Sequence, residues 1–218
     1  MSLEDLKRSA LWNSLTNMGD YIKLNLTINQ SDVLEQLTQF EPYWIPYNQK
    51  KDVLNNRWGL PITSIDGKVT SNDHLNSFGY MKRYHDVSLT EDNFNTLTEV
   101  YYAIPELAKL VDLFSPDIGR VHLLRVDQGG YFPPHRDFPG PSPEYFRLIT
   151  VFGNCSDFNY VHLLDDHIFR PDPSNLYFVN FQLNHSVFSF SNNLYCLILT
   201  VKLTQRTHDL IVTHSMAQ

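Results

Sequence analysis

The stretch Gln128-Gly129-Gly130-Tyr131-Phe132-Pro133-Pro134-His135-Arg136-Asp137 decides how this chain is read. Two glycines make a turn, two prolines stiffen the backbone after it, and a His-X-Asp pair closes the segment. Side chains of an extended backbone alternate, so positions two apart share a side. His135 and Asp137 therefore present an imidazole and a carboxylate together. Composition does not separate a metal site from a polar surface turn: 9 His and 17 Asp in 218 residues give about 0.7 such pairs by chance.

Working outward, a third donor is needed, and His185 follows Asp137 by 48 residues at the start of a late apolar run. Two imidazoles and one carboxylate on one side of an octahedral metal leave three positions open, the arrangement of non-haem Fe(II) oxygenases. Residues 120–126, 145–152, 160–164, 176–180 and 194–203 read as strands, rich in Val, Ile, Leu, Phe and Tyr and separated by Gly, Pro, Asn or Asp. Short strands with frequent turns predict a sandwich or barrel.

The first half is mixed. Residues 1–15 read as an amphipathic helix. Tyr21 to Ile28 alternates as a strand, and Ser31 is placed to cap a helix over 32–40. Residues 41–66 hold three prolines and read as loop with short elements. Ser88 with Glu91 forms a capping-box pattern ahead of a helical periodicity through Phe94, Leu97 and Tyr101, and Pro105 opens a helix over 106–114. One domain of 218 residues is expected: a helical and mixed region over 1–117 packed on a β core over 118–204.

From about residue 105 to 203 the chain resembles the 2-oxoglutarate and Fe(II)-dependent oxygenase superfamily. Within it, the aspartyl/asparaginyl β-hydroxylase-like group is nearest. The carrying residues are Arg120-Val121-His122-Leu123-Leu124-Arg125, Pro134-His135-Arg136-Asp137, Arg147-Leu148-Ile149, Leu176 to Asn180, and His185 with a closing strand over 195–201. The resemblance implies a mainly β fold with flanking helices, built on a double-stranded β-helix (a cupin-like jelly roll). It implies Fe(II) on His135, Asp137 and His185, with 2-oxoglutarate and O2 as co-substrates. It also implies a cation for the distal carboxylate of 2-oxoglutarate. Arg147 matches that position, and a guanidinium suits a carboxylate because its planar fork makes two bonds. A second arginine often stands ten residues after the distal histidine. Here that residue is Tyr195, a departure that leaves one hydroxyl donor and no charge. Tyr131 is a further co-substrate contact or a rim aromatic, and Arg125 is an alternative cation. His162 and His167 flank Asp165-Asp166 and read as a solvated turn rather than a loop metal site.

The implied activity is hydroxylation of an amino-acid side chain, Asp, Asn or Pro, free or in a peptide. Tyr43 to Trp58 either lines an entrance or packs on the barrel. The competing readings are a jelly-roll protein that binds a metal or ligand without turnover, and a small structural protein. A net charge of −7 argues against a nucleic acid or an anionic membrane as partner, and the Lys50-Lys51 pair makes no basic patch. No apolar run reaches the roughly 18 residues of a membrane span. Two cysteines and the lack of an apolar leader predict the cytoplasm, where the four sequons at Asn25, Asn29, Asn154 and Asn184 are accidental.

Overall fold

A computed structural model describes residues 2–47, 56–70, 75–138, 140 and 143–216. Lys50-Lys51, His74 and the middle of the aromatic segment at 43–58 lie outside the described residues. In chain order the elements begin with α1 (Leu3–Asn17), β1 (Tyr21–Thr27), α2 (Gln30–Leu37), β2 (Ile45–Pro46), β3 (Arg57–Pro61), β4 (Thr63–Ser64), α3 (Phe78–His85), β5 (Thr96–Leu97), α4 (Glu99–Ala103) and α5 (Pro105–Phe114). The second half holds β6 (Ile118–Val126), β7 (Tyr131–His135), β8 (Tyr145–Gly153), β9 (Tyr160–Leu164), β10 (His167–Phe169), β11 (Asn175–Val179), β12 (His185–Ser189), β13 (Leu194–Lys202) and α6 (Gln205–His214).

Two antiparallel sheets face one another. The larger has seven strands in the order β1-β11-β8-β13-β6-β3-β2, and the smaller has four in the order β10-β9-β12-β7. Successive strands of the second half cross between the sheets, which is the jelly-roll arrangement. The N-terminal region takes part in it: β1 closes one edge of the large sheet on β11, and β3 pairs with β6 at the other side.

Alternation along the strands sorts the residues into two layers. On β6, Val121 and Leu123 join a helix-side core. So do Leu148 and Phe152 on β8, and Leu197, Leu199 and Val201 on β13. Trp12 of α1, Leu107 and Phe114 of α5 and Ile211 of α6 cover that face, and the Trp12 ring meets Phe178 edge-on at 5.6 Å. The other face looks into the space between the sheets, where Leu124, Ile149 and Ile198 pack with residues of the small sheet. Because β8 and β13 are covered on both faces, their sequences are nearly continuous apolar runs.

Three local expectations are corrected. Asn29, not Ser31, caps α2: its side chain accepts the Ser31 N–H at 3.2 Å. Ser88 and Glu91 do not start a helix. Thr90 caps a single 3-10 turn over Glu91–Asn93, and the Glu91 carboxylate instead accepts the Arg120 N–H at 3.0 Å. The periodicity through Phe94, Leu97 and Tyr101 is broken at Thr98. Its buried hydroxyl donates to the Pro61 carbonyl at 2.8 Å and accepts from Val100 N–H at 3.3 Å, so β5 ends and α4 begins there. No helix among the described residues is long and apolar enough to cross a membrane.

Candidate metal centre

Gly129 and Gly130 turn the chain from β6 into β7. Gly129 has φ +80°, a conformation open to glycine at no steric cost. A Cβ on Gly130 would lie 2.5 Å from Val126 Cγ1 and 2.8 Å from the Asn56 and Asp127 carbonyl oxygens. Strand β7 then pairs with β12 so that His135 and His185 are direct partners. Asp137 lies just past the strand end, held by its N–H donating to the Phe181 carbonyl at 2.8 Å. The loop beyond is tied by Gln182, whose Nε2 donates to the Phe138 carbonyl at 2.9 Å.

These constraints bring His135, Asp137 and His185 together, with one ligand atom from each within 4.8 Å of the others. His135 Nε2 stands 3.7 Å from Asp137 Oδ1, and His185 Nε2 stands 3.8 Å from Oδ2. Each imidazole is oriented from behind. His135 Nδ1–H donates to the Pro133 carbonyl at 2.7 Å, and His185 Nδ1–H to the Leu183 carbonyl at 3.0 Å. That choice of tautomer leaves both Nε2 lone pairs facing the carboxylate, as metal-binding histidines require. Burial pushes the His185 pKa down to about 4, against the opposing pull of the Leu183 carbonyl. It is neutral at ordinary pH, the form that can ligate a metal. The donor set fits a divalent iron: two neutral imidazoles and a carboxylate on one side, with open space on the other.

That space is a cavity of about 190 Å³ between the sheets. His135 stands at its mouth, its side chain 39% exposed, while His185 is buried at 6%. Val126, Val151, Leu194 and Cys196 line the end away from the mouth. Arg147 and Arg120 line it near the metal ligands. Arg147 Nη1 donates to Asp137 Oδ2, and the guanidinium lies 5.2 Å from the Phe138 ring centre. Burial opposes its charge, but Asp137 foremost among its neighbours raises its pKa, so it stays a cation.

Tyr195, Tyr131 and Arg125 are not in the cavity. Tyr195 is corrected: it points to the helix side, stacked on Phe152 at 5.4 Å and tilted against Trp44 at 5.8 Å. Its neighbours Leu194 and Cys196 face the cavity instead. Tyr131 is also corrected. A register shift between β7 and β12 turns Phe132 inward with His135 and leaves Tyr131 on the outer face beside Phe188. Arg125 lies between Trp44 and Trp58 and pairs with Glu41 at 2.9 Å, outside the cavity. Of the aromatic segment, Tyr47 lines the cavity, stacked on His122, while Trp44 and Trp58 pack on Arg125.

Sequence reasoning missed His162. It is not in a solvated turn but on β9, buried, lining the cavity with Nε2 unpartnered among the described residues. Burial first, then His185 and His135, push its pKa down to about 3. The alternation of Tyr160, His162 and Leu164 along a strand was the signal that could have found it.

No family profile matches this sequence, and no curated protein matches it. Its fold does match solved structures. A prolyl hydroxylase from Trichoplax adhaerens, in complex with a hypoxia inducible factor oxygen degradation domain peptide fragment, aligns over 96% of each chain with TM-score 0.54 and 13% identity. A viral collagen prolyl hydroxylase from Paramecium Bursaria Chlorella virus-1, in complex with 2OG, aligns over 86% of this chain and 97% of that one with TM-score 0.48 and 9% identity. A cupin 2 domain-containing protein from Halorhodospira halophila covers 46% of this chain and 68% of its own, with TM-score 0.31 and 15% identity. This chain has a jelly-roll fold, which it shares with the Trichoplax prolyl hydroxylase.

Proposed function

We propose that this protein is an Fe(II)- and 2-oxoglutarate-dependent dioxygenase that hydroxylates an amino-acid side chain. The carrying observation is the convergence of His135, Asp137 and His185 at the mouth of the cavity, with both Nε2 atoms aimed at the carboxylate. In this reading the three residues hold Fe(II). Bound iron supplies the O2 chemistry that couples decarboxylation of a 2-oxo acid to hydroxylation of a C–H bond. The chain's own part is geometric. The Nδ1 bonds fix the imidazoles, Arg147 orients Asp137 and offers its remaining N–H groups to the distal carboxylate of 2-oxoglutarate, and the apolar walls keep water away.

The narrower likeness to the aspartyl/asparaginyl β-hydroxylase-like group belongs to the same proposal and rests on Pro134-His135-Arg136-Asp137 and Arg147. The Trichoplax neighbour holds a peptide, which supports a peptide prolyl substrate beside Asp or Asn. A reducing, cytoplasmic setting completes the reading, and the free thiols of Cys155 and Cys196 support it.

A second reading, a jelly-roll protein that binds metal or ligand without turnover, is favoured by one observation. Arg147 is already engaged by Asp137. Anaerobic addition of Fe(II) and 2-oxoglutarate, monitored by visible absorbance, separates the two. A charge-transfer band lost in His135→Ala supports the oxygenase. Iron uptake with no band leaves the binding protein, and no iron uptake ends both metal readings.

A further inference from the structure

Helices cover the outer face of the large sheet, but the outer face of the small sheet is open and apolar. His162 on β9 and His185 and Val187 on β12 point inward to the cavity, and Leu164 and Phe169 point inward to the core. Alternation therefore turns Val161, Leu163, Ile168 and Phe188 outward. Pairing joins them into one surface. Ile168 of β10 lies opposite Leu163 of β9, and Val161 of β9, Phe188 of β12 and Tyr131 of β7 form a continuous row. Phe190 extends that row, its ring 4.9 Å from Phe188. The Phe190 N–H donates to the Asn159 carbonyl at 2.7 Å, which brings Phe158 to the same end.

The size of this patch calls for a partner. Tyr131, Leu163, Ile168, Phe188 and Phe190 are each between 37% and 50% exposed, and Phe158 is 90% exposed. At about 200 Å² for a large side chain, these six leave roughly 600 Å² of apolar surface in water. That is the upper end for the largest patch on a monomer, about 300–600 Å². A standard interface hides about 800 Å² on each side, which the patch and its polar rim together supply.

The charges on the rim identify that partner. His135, His185, Leu164 and His167 are successive cross-strand partners, so they mark one end of the sheet. Just beyond them stand Arg136 after β7 on one side and Asp165-Asp166 after β9 on the other, all exposed. At the opposite end Arg170 and Asp157 neutralise each other at 3.0 Å. A two-fold axis parallel to the strands reverses the strand order and keeps the ends together. It lays β7 over β10 of a second copy and sets Arg136 against that copy's Asp165-Asp166, and the reverse contact repeats it. Sheets packed this way stay within about 30° of parallel, the usual aligned geometry. An apolar centre with self-complementary charges is what an isologous contact needs. We propose that the outer face of the small sheet is a homodimer interface, covered by the same face of a second copy about this axis. It lies across the sheet from the metal ligands, so it stands whether or not the oxygenase reading does.

Sedimentation equilibrium of the full chain tests the dimer. At about 100 μM, above the micromolar limit for interfaces of this size, wild type sediments at twice the mass of one chain. Leu163→Lys puts a charge into the patch and sediments at the mass of one chain. Leu163 is 41% exposed, so the lysine reaches water in the free chain, and the far-UV circular dichroism stays that of wild type. A wild type at the mass of one chain overturns the proposal and leaves the patch to a different protein. A dimer that survives Leu163→Lys places the contact on another face and overturns it equally.

A charge swap tests the axis. Arg136→Asp sets like charges against each other and weakens the dimer by about tenfold or more. Arg136→Asp combined with Asp166→Arg restores it, and the Asp166 side chain, 96% exposed, tolerates the change. Only a second copy that brings Arg136 to Asp166 gives that rescue. Weakening without rescue overturns the axis along the strands. All four proteins are measured with chelator present, so the masses report the surface and not the metal.

Discussion

Arg147 on β8 donates its Nη1–H to Oδ2 of Asp137, the carboxylate that stands between His135 and His185. Both side chains are about 15% exposed, so each is the main partner of the other's charge. Removing one partner of a buried pair leaves an uncompensated ion and costs about 3–5 kcal/mol. Asp137→Ala should lose stability on that scale in urea denaturation with chelator present. Asp137→Ala with Arg147→Met should recover most of it. A single variant as stable as wild type would mean that the pair is only a contact.

Acid should unfold this protein early. The folded pKa of His162 is about 3, because burial opposes its charge, against an ordinary value near 6.5. Between those values the unfolded chain binds a proton that the folded chain refuses. The stability from this site is complete above about pH 6.5 and is lost as pH falls toward 3, with a slope approaching ~1.4 kcal/mol per pH unit. His162→Phe should flatten that limb by about one proton's worth, seen in urea midpoints between pH 7 and 4. His185 and His122, both depressed by burial, keep their own share.

Tyr195→Phe should leave the binding of any 2-oxo acid within about twofold, because the ring faces Trp44 and Phe152 and not the cavity. Tyr195→Arg, which would place an arginine at the spacing that the family resemblance implies, should destabilise by several kcal/mol, since it buries a charge in the helix-side core. Co-substrate affinity and melting temperature check both. Weakened binding in Tyr195→Phe would contradict the observed side of the sheet.

Gly130→Ala should cost about 1–3 kcal/mol, the usual penalty for overpacking. Its new methyl would meet Val126 and two carbonyl oxygens at 2.5–2.8 Å. Because Gly130 leads directly into β7, the same variant should weaken divalent-metal binding, read by Mn(II) titration. Gly79→Ala is the control, with nothing within 4 Å of its added methyl.

Much of the fold was legible where burial is simple. The segment 194–202 is covered on both faces and spells a strand in continuous apolar residues; 145–153 does the same. His135, Asp137 and His185 were legible through the turn residues and the strands around them. The misses have local causes. Counting back from His135 by twos puts Tyr131 inward, and only the shift between His185 and Val187 shows that Phe132 takes that side. Tyr195 was chosen by spacing, whereas the parity of β13 turns even-numbered residues inward. The helix α6 starts with Thr204 and Thr207 as its capping pair, without the glutamate or glutamine that marks a capping box in sequence.

The pairing of β1 with β11 has a kinetic consequence. Tyr21 meets Val179 and Lys23 meets Tyr177, so the first strand made waits for more than 150 further residues before its neighbour exists. His135 likewise waits for His185. Contacts so distant in sequence slow folding, since the loop must close before either contact rewards it. A growing chain cannot assemble this centre until His185 has been made. On the proposed function, a metal ion would therefore arrive as a clasp on a finished barrel, and its uptake during refolding should lag behind the formation of the sheets.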